Sequence, residues 1–169
     1  MKYLGLFRHA KSDWDDSSTR DFDRSVNERG REGARIMGRH IRRQEPAWDM
    51  ILASPAERVR LTLEEAAIGV KPTFDQRLYL AGPETHLEVI KHKAGDADAV
   101  LIAAHNPGLQ DLVLALVSQE NETPDFREAM VKFPTASFAV LELPIDDWSE
   151  LGSRDARLVH FMRPRDLDP

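Results

Sequence analysis

Three short stretches carry residue types that handle phosphoryl groups. LFRHAKSDW, at residues 6–14, runs apolar and then stops at Arg8, His9 and Lys11. SPAERVRLT, at 54–62, sets Arg58 just behind a Ser-Pro pair, and AHNPG, at 104–108, sets His105 between an apolar run and Asn-Pro-Gly. A guanidinium fork matches phosphoryl oxygens two at a time. An imidazole adds what a passive anion site lacks, a nucleophile that works near neutral pH. Two arginines and two histidines gathered at one point would therefore bind a phosphate and could attack it. Taken singly, each stretch has a plainer reading: a strand running out into water, a helix start with an exposed arginine, or a histidine filling a turn.

The chemistry thus depends on elements that converge. Tyr3–Phe7, Met50–Ala53 and Ala99–Ala104 are apolar runs of strand length, and AVLIAA at 99–104 has the unbroken apolarity of a strand covered on both faces. Helical spacing is expected from Asn27 to Arg43, with Gly30, Ala34, Met37, Gly38 and Ile41 on one face. Arg31, Arg35, Arg39 and Arg42 lie mostly elsewhere on that helix, as a solvated face or a dock for an acidic partner. Further helices are expected from Pro55 to about Ile68, from Glu84 to about Lys93 with Gly95 as its cap, from Pro107 to about Ser118, and briefly near 125–131. Residues 72–80 read as irregular with a short extended piece. Ser137–Leu143 and Arg157–Met162 read as a late antiparallel pair, and residues 11–25 as a long surface loop.

Strands alternating with helices give an α/β, three-layer sandwich, with a mostly parallel central sheet and helices on both faces, as one domain over 1–169. In such open sheets ligands bind beyond the carboxyl ends of the strands, where Arg8-His9, Ser54–Arg58 and His105 all fall. Ser54 is expected to cap the second helix, with Pro55 at its first position and Glu57 closing a capping box. Asn106 and Pro107 are expected to open the fourth helix in the same way, and a helix N-terminus favours an anion.

Bulk composition narrows the classes. Of 169 residues none is cysteine, so disulfides and thiolate metal sites are excluded. The formal net charge of −6 argues against nucleic acid as a partner. No apolar run has membrane-spanning length, and the charged N-terminal stretch does not read as a signal peptide, so no membrane partner and a cytoplasmic location are expected. His40, His86, His92 and His160 show no ligand spacing, so neither a metal nor another cofactor is expected.

RHAK, SPAERVRLT and AHNPG, in that order, together with VNERG at 26–30 and LYLAGPE at 78–84, resemble the histidine phosphatase superfamily, the phosphoglycerate mutase-like group. Within it the chain is most similar to the SixA-like phosphohistidine phosphatases. The resemblance implies that His9 is the nucleophile that becomes phosphorylated. It also implies that Arg8, Arg58 and His105, the last protonated, hold the phosphoryl oxygens. The other ring nitrogen of His9 would need to donate to an acceptor, expected to be a backbone carbonyl, so that the attacking nitrogen stays free. Lys11, Ser12 and Asn106 are candidates to touch substrate.

Two departures stand out. Ala10 replaces the usual glycine, which is tolerable where positive φ is not required. The family's proton-donating glutamate has only Glu84 as a local candidate, with Asp13, Asp16 and Asp21 as alternatives in the loop; Arg20 and Arg24 are the expected partners for such loop carboxylates. A weak acid matters less for a phosphohistidine substrate, whose imidazole leaves as a neutral ring once protonated. The expected activity is therefore a phosphatase acting on phosphohistidine in a signalling protein. A small phosphorylated metabolite is the alternative substrate, and a non-catalytic phosphate- or phosphoprotein-binding module is the alternative from another class. A mutase would need lid segments for which the chain has little length.

Overall fold

The computed structural model describes residues 1–167. Strands β1 (Lys2–Arg8), β2 (Met50–Ala53), β3 (Pro72–Phe74), β4 (Ala99–Ala104), β5 (Phe138–Leu143) and β6 (Arg157–Met162) form one sheet in the order β3-β2-β4-β1-β5-β6. The first four in that order run parallel, whereas β5 runs antiparallel to β1 and β6 antiparallel to β5. Five helices complete the fold: α1 (Glu28–Arg43), α2 (Glu57–Ala66), α3 (Pro83–Lys93), α4 (Gly108–Leu116) and α5 (Pro124–Val131).

β4 shows why the layers are three. Its side chains alternate between faces, as strand side chains must. Val100, Ile102 and Ala104 pack with Leu109, Leu112, Val113 and Leu116 of α4 and with Val89 and Ile90 of α3. Ala99, Leu101 and Ala103 pack on the opposite face with Ala34, Met37 and Ile41 of α1 and Val59 and Leu63 of α2. Each fully buried Leu, Ile or Val contributes about 1.5–3 kcal/mol.

Helix ends follow their sequence in α1, where the Asn27 side chain accepts from the Gly30 amide at 2.8 Å and His40, Arg42 and Arg43 fill the last turn. Gly38 lies against the Ala66 carbonyl, where any Cβ would collide with backbone, so α1 and α2 cross with nothing between them. Arg42 adds hydrogen bonds to the Ala66 and Ala67 carbonyls at 2.6 and 2.8 Å. Of the other arginines predicted on that face, Arg35 pairs with Glu28 and Glu65 and Arg31 lies 3.8 Å from Glu65, whereas Arg39 is exposed with no acidic partner within 4.0 Å among the described residues.

Two helix starts differ from expectation. α2 begins at Glu57 with Ala56 at the cap and no side-chain cap, so Ser54 forms no capping box and Pro55 lies outside the helix. The Ser54 hydroxyl is engaged by His105 instead, at 2.8 Å. α4 begins at Gly108 with Pro107 at the cap position. Asn106 still serves a helix amide, accepting from Gln110 at 3.1 Å.

Candidate active site

The register of the sheet brings the predicted residues together. Arg8 is opposite Ala104 in the β1–β4 ladder and Ala53 is opposite Ala103 in the β2–β4 ladder, so three parallel strands end level. His9, Ser54 and His105 are the next residues of each chain segment. β5 runs the other way, with Phe138 opposite Phe7, so the residues preceding it reach the same edge. A cavity of about 500 Å³ opens there. Arg8, His9, Lys11, Ser12, Arg58, His105 and Asn106 line it, joined by Trp14, Arg24, Leu80, Lys132, Pro134 and Thr135. Among the described residues its lining holds five cationic side chains and no carboxylate.

His9 is buried, with its Nδ1 2.8 Å from the carbonyl oxygen of Ala10. A carbonyl only accepts, so Nδ1 carries the proton and Nε2 keeps its lone pair. Burial pushes the pKa of His9 down to about 4; the bond to Ala10 opposes this, and the charges of Arg58, Arg8 and Arg24 add to it. The ring is thus neutral in the free site at pH 7. Ala10 is itself buried and its φ is not positive, so the methyl that replaces the usual glycine hydrogen is accommodated. The Ala10 amide donates to Thr62 Oγ1 at 2.8 Å, and the Thr62 hydroxyl donates to the Arg58 carbonyl at 2.6 Å. One buried threonine therefore ties the turn after β1 to the first turn of α2.

Arg58 is 3% exposed. Its Nη1 donates to the Asp21 carbonyl at 2.7 Å, and its Nη2 lies 3.1 Å from Asp21 Oδ2 and 3.3 Å from His105 Nδ1. Asp21 also pairs with Arg24 at 2.8 Å and accepts from the Tyr79 hydroxyl at 2.5 Å. Burial works to raise the Asp21 carboxyl, but the Tyr79 hydrogen bond and the charges of Arg58 and Arg24 outweigh it and hold the group below its ordinary range. Arg8 donates to the Phe133 carbonyl at 2.8 Å. The Nε donors of Arg8 and Arg58 are buried without partners. Burial, and then the charge of Arg58, depress the pKa of the Arg8 guanidinium. Crowded cations and unmet donors are the state an incoming dianion relieves.

His105, expected to be protonated while it holds the phosphoryl group, is buried in the free site. Burial, followed by the neighbouring His9 and Arg58, pushes its pKa down to about 3, with Asp21 opposing and His86 adding. It is neutral in the free site, not protonated. With Arg58 donating to Nδ1, the proton resides on Nε2, which donates to Ser54. The His9 and His105 rings stand 5.3 Å apart, centroid to centroid.

The proton-donor candidates are not brought to the cavity. Glu84 is exposed in the first turn of α3, outside the lining, while Leu80, four residues earlier, occupies the lip with φ of 54°. Asp13 and Asp16 cap local turns, accepting from the Asp15 and Ser18 amides. Asp21 is committed to Arg58, Arg24 and Tyr79. Arg20 also pairs with Asp23 at 2.7 Å, so Asp21 and Asp23 are matched by arginines, whereas Asp13, Asp15 and Asp16 have no cationic partner within 4.0 Å among the described residues. Lys132, Pro134 and Thr135 carried no motif; only the antiparallel course of β5 places them at this edge.

The model of the histidine phosphatase superfamily (branch 1) matches residues 4–79, a span that holds Arg8, His9 and Arg58. An uncharacterised protein of Mycobacterium leprae is 33% identical over 161 residues, covering 94% of this chain and 99% of that one. Among solved structures, a candidate phosphohistidine phosphatase SixA from Nakamurella multipartitia superposes with a TM-score of 0.85 at 28% identity, over 96% of both chains. A candidate SixA from Agrobacterium tumefaciens gives 0.79 at 29% identity, over 96% of this chain and 98% of that one.

Proposed function

This chain belongs to the histidine phosphatase superfamily, and from that premise we propose that it removes the phosphoryl group from phosphohistidine in a protein, through a phosphoenzyme on His9. The observation that carries the reading is the His9 Nδ1 contact with the Ala10 carbonyl at 2.8 Å, which leaves Nε2 as a free nucleophile among Arg8, Arg58 and His105.

In this proposal the substrate imidazole first takes a proton from solvent at its other nitrogen; Nε2 of His9 then attacks phosphorus in line, the phosphorus–nitrogen bond to the substrate breaks, and that ring leaves as a neutral imidazole. Arg8 and Arg58 stabilise the equatorial oxygens as charge gathers on them. His105 takes a proton at Nδ1 once Arg58 turns from it to the phosphoryl group, so its pKa rises on binding because an anion now faces it. Water then attacks phosphorus in the phosphoenzyme, the bond to His9 Nε2 breaks, the ring returns to its free state, and inorganic phosphate leaves. Lys11, Ser12 and Asn106 contact the substrate at the rim, and the cycle uses no metal.

The choice of phosphohistidine over a phosphate ester is supported by the lack of a carboxyl group in the cavity lining among the described residues. An alkoxide leaving group needs a placed acid, and a protonated imidazole does not. Turnover of a phosphohistidine peptide should exceed that of a panel of sugar and nucleotide phosphates, with His9→Ala as the control. Preference for one member of the panel would replace the proposed substrate with a small metabolite.

A further inference from the structure

A second cavity, of about 470 Å³, adjoins the first and shares Lys11, Lys132, Pro134 and Thr135 with it. It runs between the first turns of α1 and the segment at 163–165 and contains Arg29, Arg163 and Arg165 against one carboxylate, Glu32. Arg163 is held by Asp166 at 2.8 Å. Among the described residues, Lys11, Arg29 and Lys132 have no acidic partner within 4.0 Å, and all three are exposed. On a chain of net charge −6, most of whose arginines are paired, this is a concentrated positive track leading to the nucleophile.

The lining of the first cavity also carries exposed apolar side chains, Trp14 and Leu80. Trp14 is 71% exposed with the Arg24 guanidinium 3.5 Å over its ring, and Leu80 is 58% exposed. Exposed aromatic and arginine side chains are the types that anchor protein interfaces. A small metabolite is bound by enclosure, whereas a trough of exposed cations beside an apolar rim suits a chain segment on a larger surface.

We propose that this track docks an acidic segment adjoining the phosphohistidine of a protein substrate, aligning it while the phosphoryl group enters the His9 cavity. The proposal rests on the phosphohistidine reading given above. Opposite charge along the track speeds encounter and rejects neutral-flanked histidines, against a molecular surface that otherwise repels acidic partners.

Two synthetic phosphohistidine peptides test it, one flanked by Asp and Glu, the other by Ser and Gly, with p-nitrophenyl phosphate as a flank-free probe. The full chain and Arg29→Glu are compared; an acid in the first turn of a helix suits the helix dipole, so the fold is kept. The native protein should show a KM about fivefold or more lower for the acidic peptide, and that preference should shrink at 1 M salt. Arg29→Glu should erase the preference while leaving kcat on all three substrates unchanged. Equal KM values for the two peptides, or a preference that survives Arg29→Glu, would overturn the docking track alone. Turnover of p-nitrophenyl phosphate with neither peptide touched would overturn the phosphohistidine reading, and this proposal with it.

Discussion

At the scale of single residues, the site is governed by two histidines kept neutral beside two arginines. Burial pushes His9 to about 4 and His105 to about 3, so both are unprotonated in the free site at pH 7. A lowered pKa means that the attacking form persists as pH falls through the ordinary histidine range. With p-nitrophenyl phosphate, and after correction for ionisation of the substrate, kcat/KM should stay flat from pH 7 to pH 5. A nucleophile with an ordinary pKa of about 6.5 would instead lose most of its activity over that interval. The kcat profile reports the complex, in which a bound phosphoryl group raises His105, so its limbs should lie higher than those of kcat/KM.

At the scale of elements, the site is a consequence of register. Strands β1, β2 and β4 were legible because each apolar run breaks off at polar or charged residues, and parallel strands flanked by helices share an edge. The direction of β5 was legible only as half of a hairpin, so Lys132, Pro134 and Thr135 were missed. Ser54 was misread because its local pattern is a good capping box; a hydrogen bond to His105, 51 residues away, overrides it. The loop at 11–25 has a definite role that its composition hides: Asp21 fastens it to Arg58 of α2. Asp21→Ala removes the carboxylate that fixes Arg58 and Arg24 while leaving the cavity more positive. We expect kcat to fall about tenfold from misplacement of Arg58, with KM unchanged or lower. A raised KM with intact kcat would mean that the loop holds substrate rather than the arginine.

At the scale of the whole molecule, the functional site costs stability, and pH reads out that cost. In the unfolded chain His9 and His105 take up protons near pH 6.5, and in the folded chain only near 4 and 3. Between those limits the unfolded state binds more protons, so stability falls as pH drops below 6.5, by roughly 2 kcal/mol per histidine at pH 5. Urea unfolding between pH 7 and pH 5 should show this slope, and His9→Asn should flatten it by about half. Ion-paired carboxylates such as Asp21 contribute at lower pH, because their folded pKa lies below the ordinary 3.8. The same molecule segregates its charge, net acidic overall and cationic along the one edge where three strands end. At that edge His9 must become phosphorylated during turnover. Mixing the protein with a phosphorylated substrate, quenching in alkali and measuring intact mass should show one added phosphoryl group. That group should be stable in alkali, lost in acid and absent from His9→Ala. Turnover by His9→Ala at the native rate, or a phosphoryl group that survives acid, would contradict it.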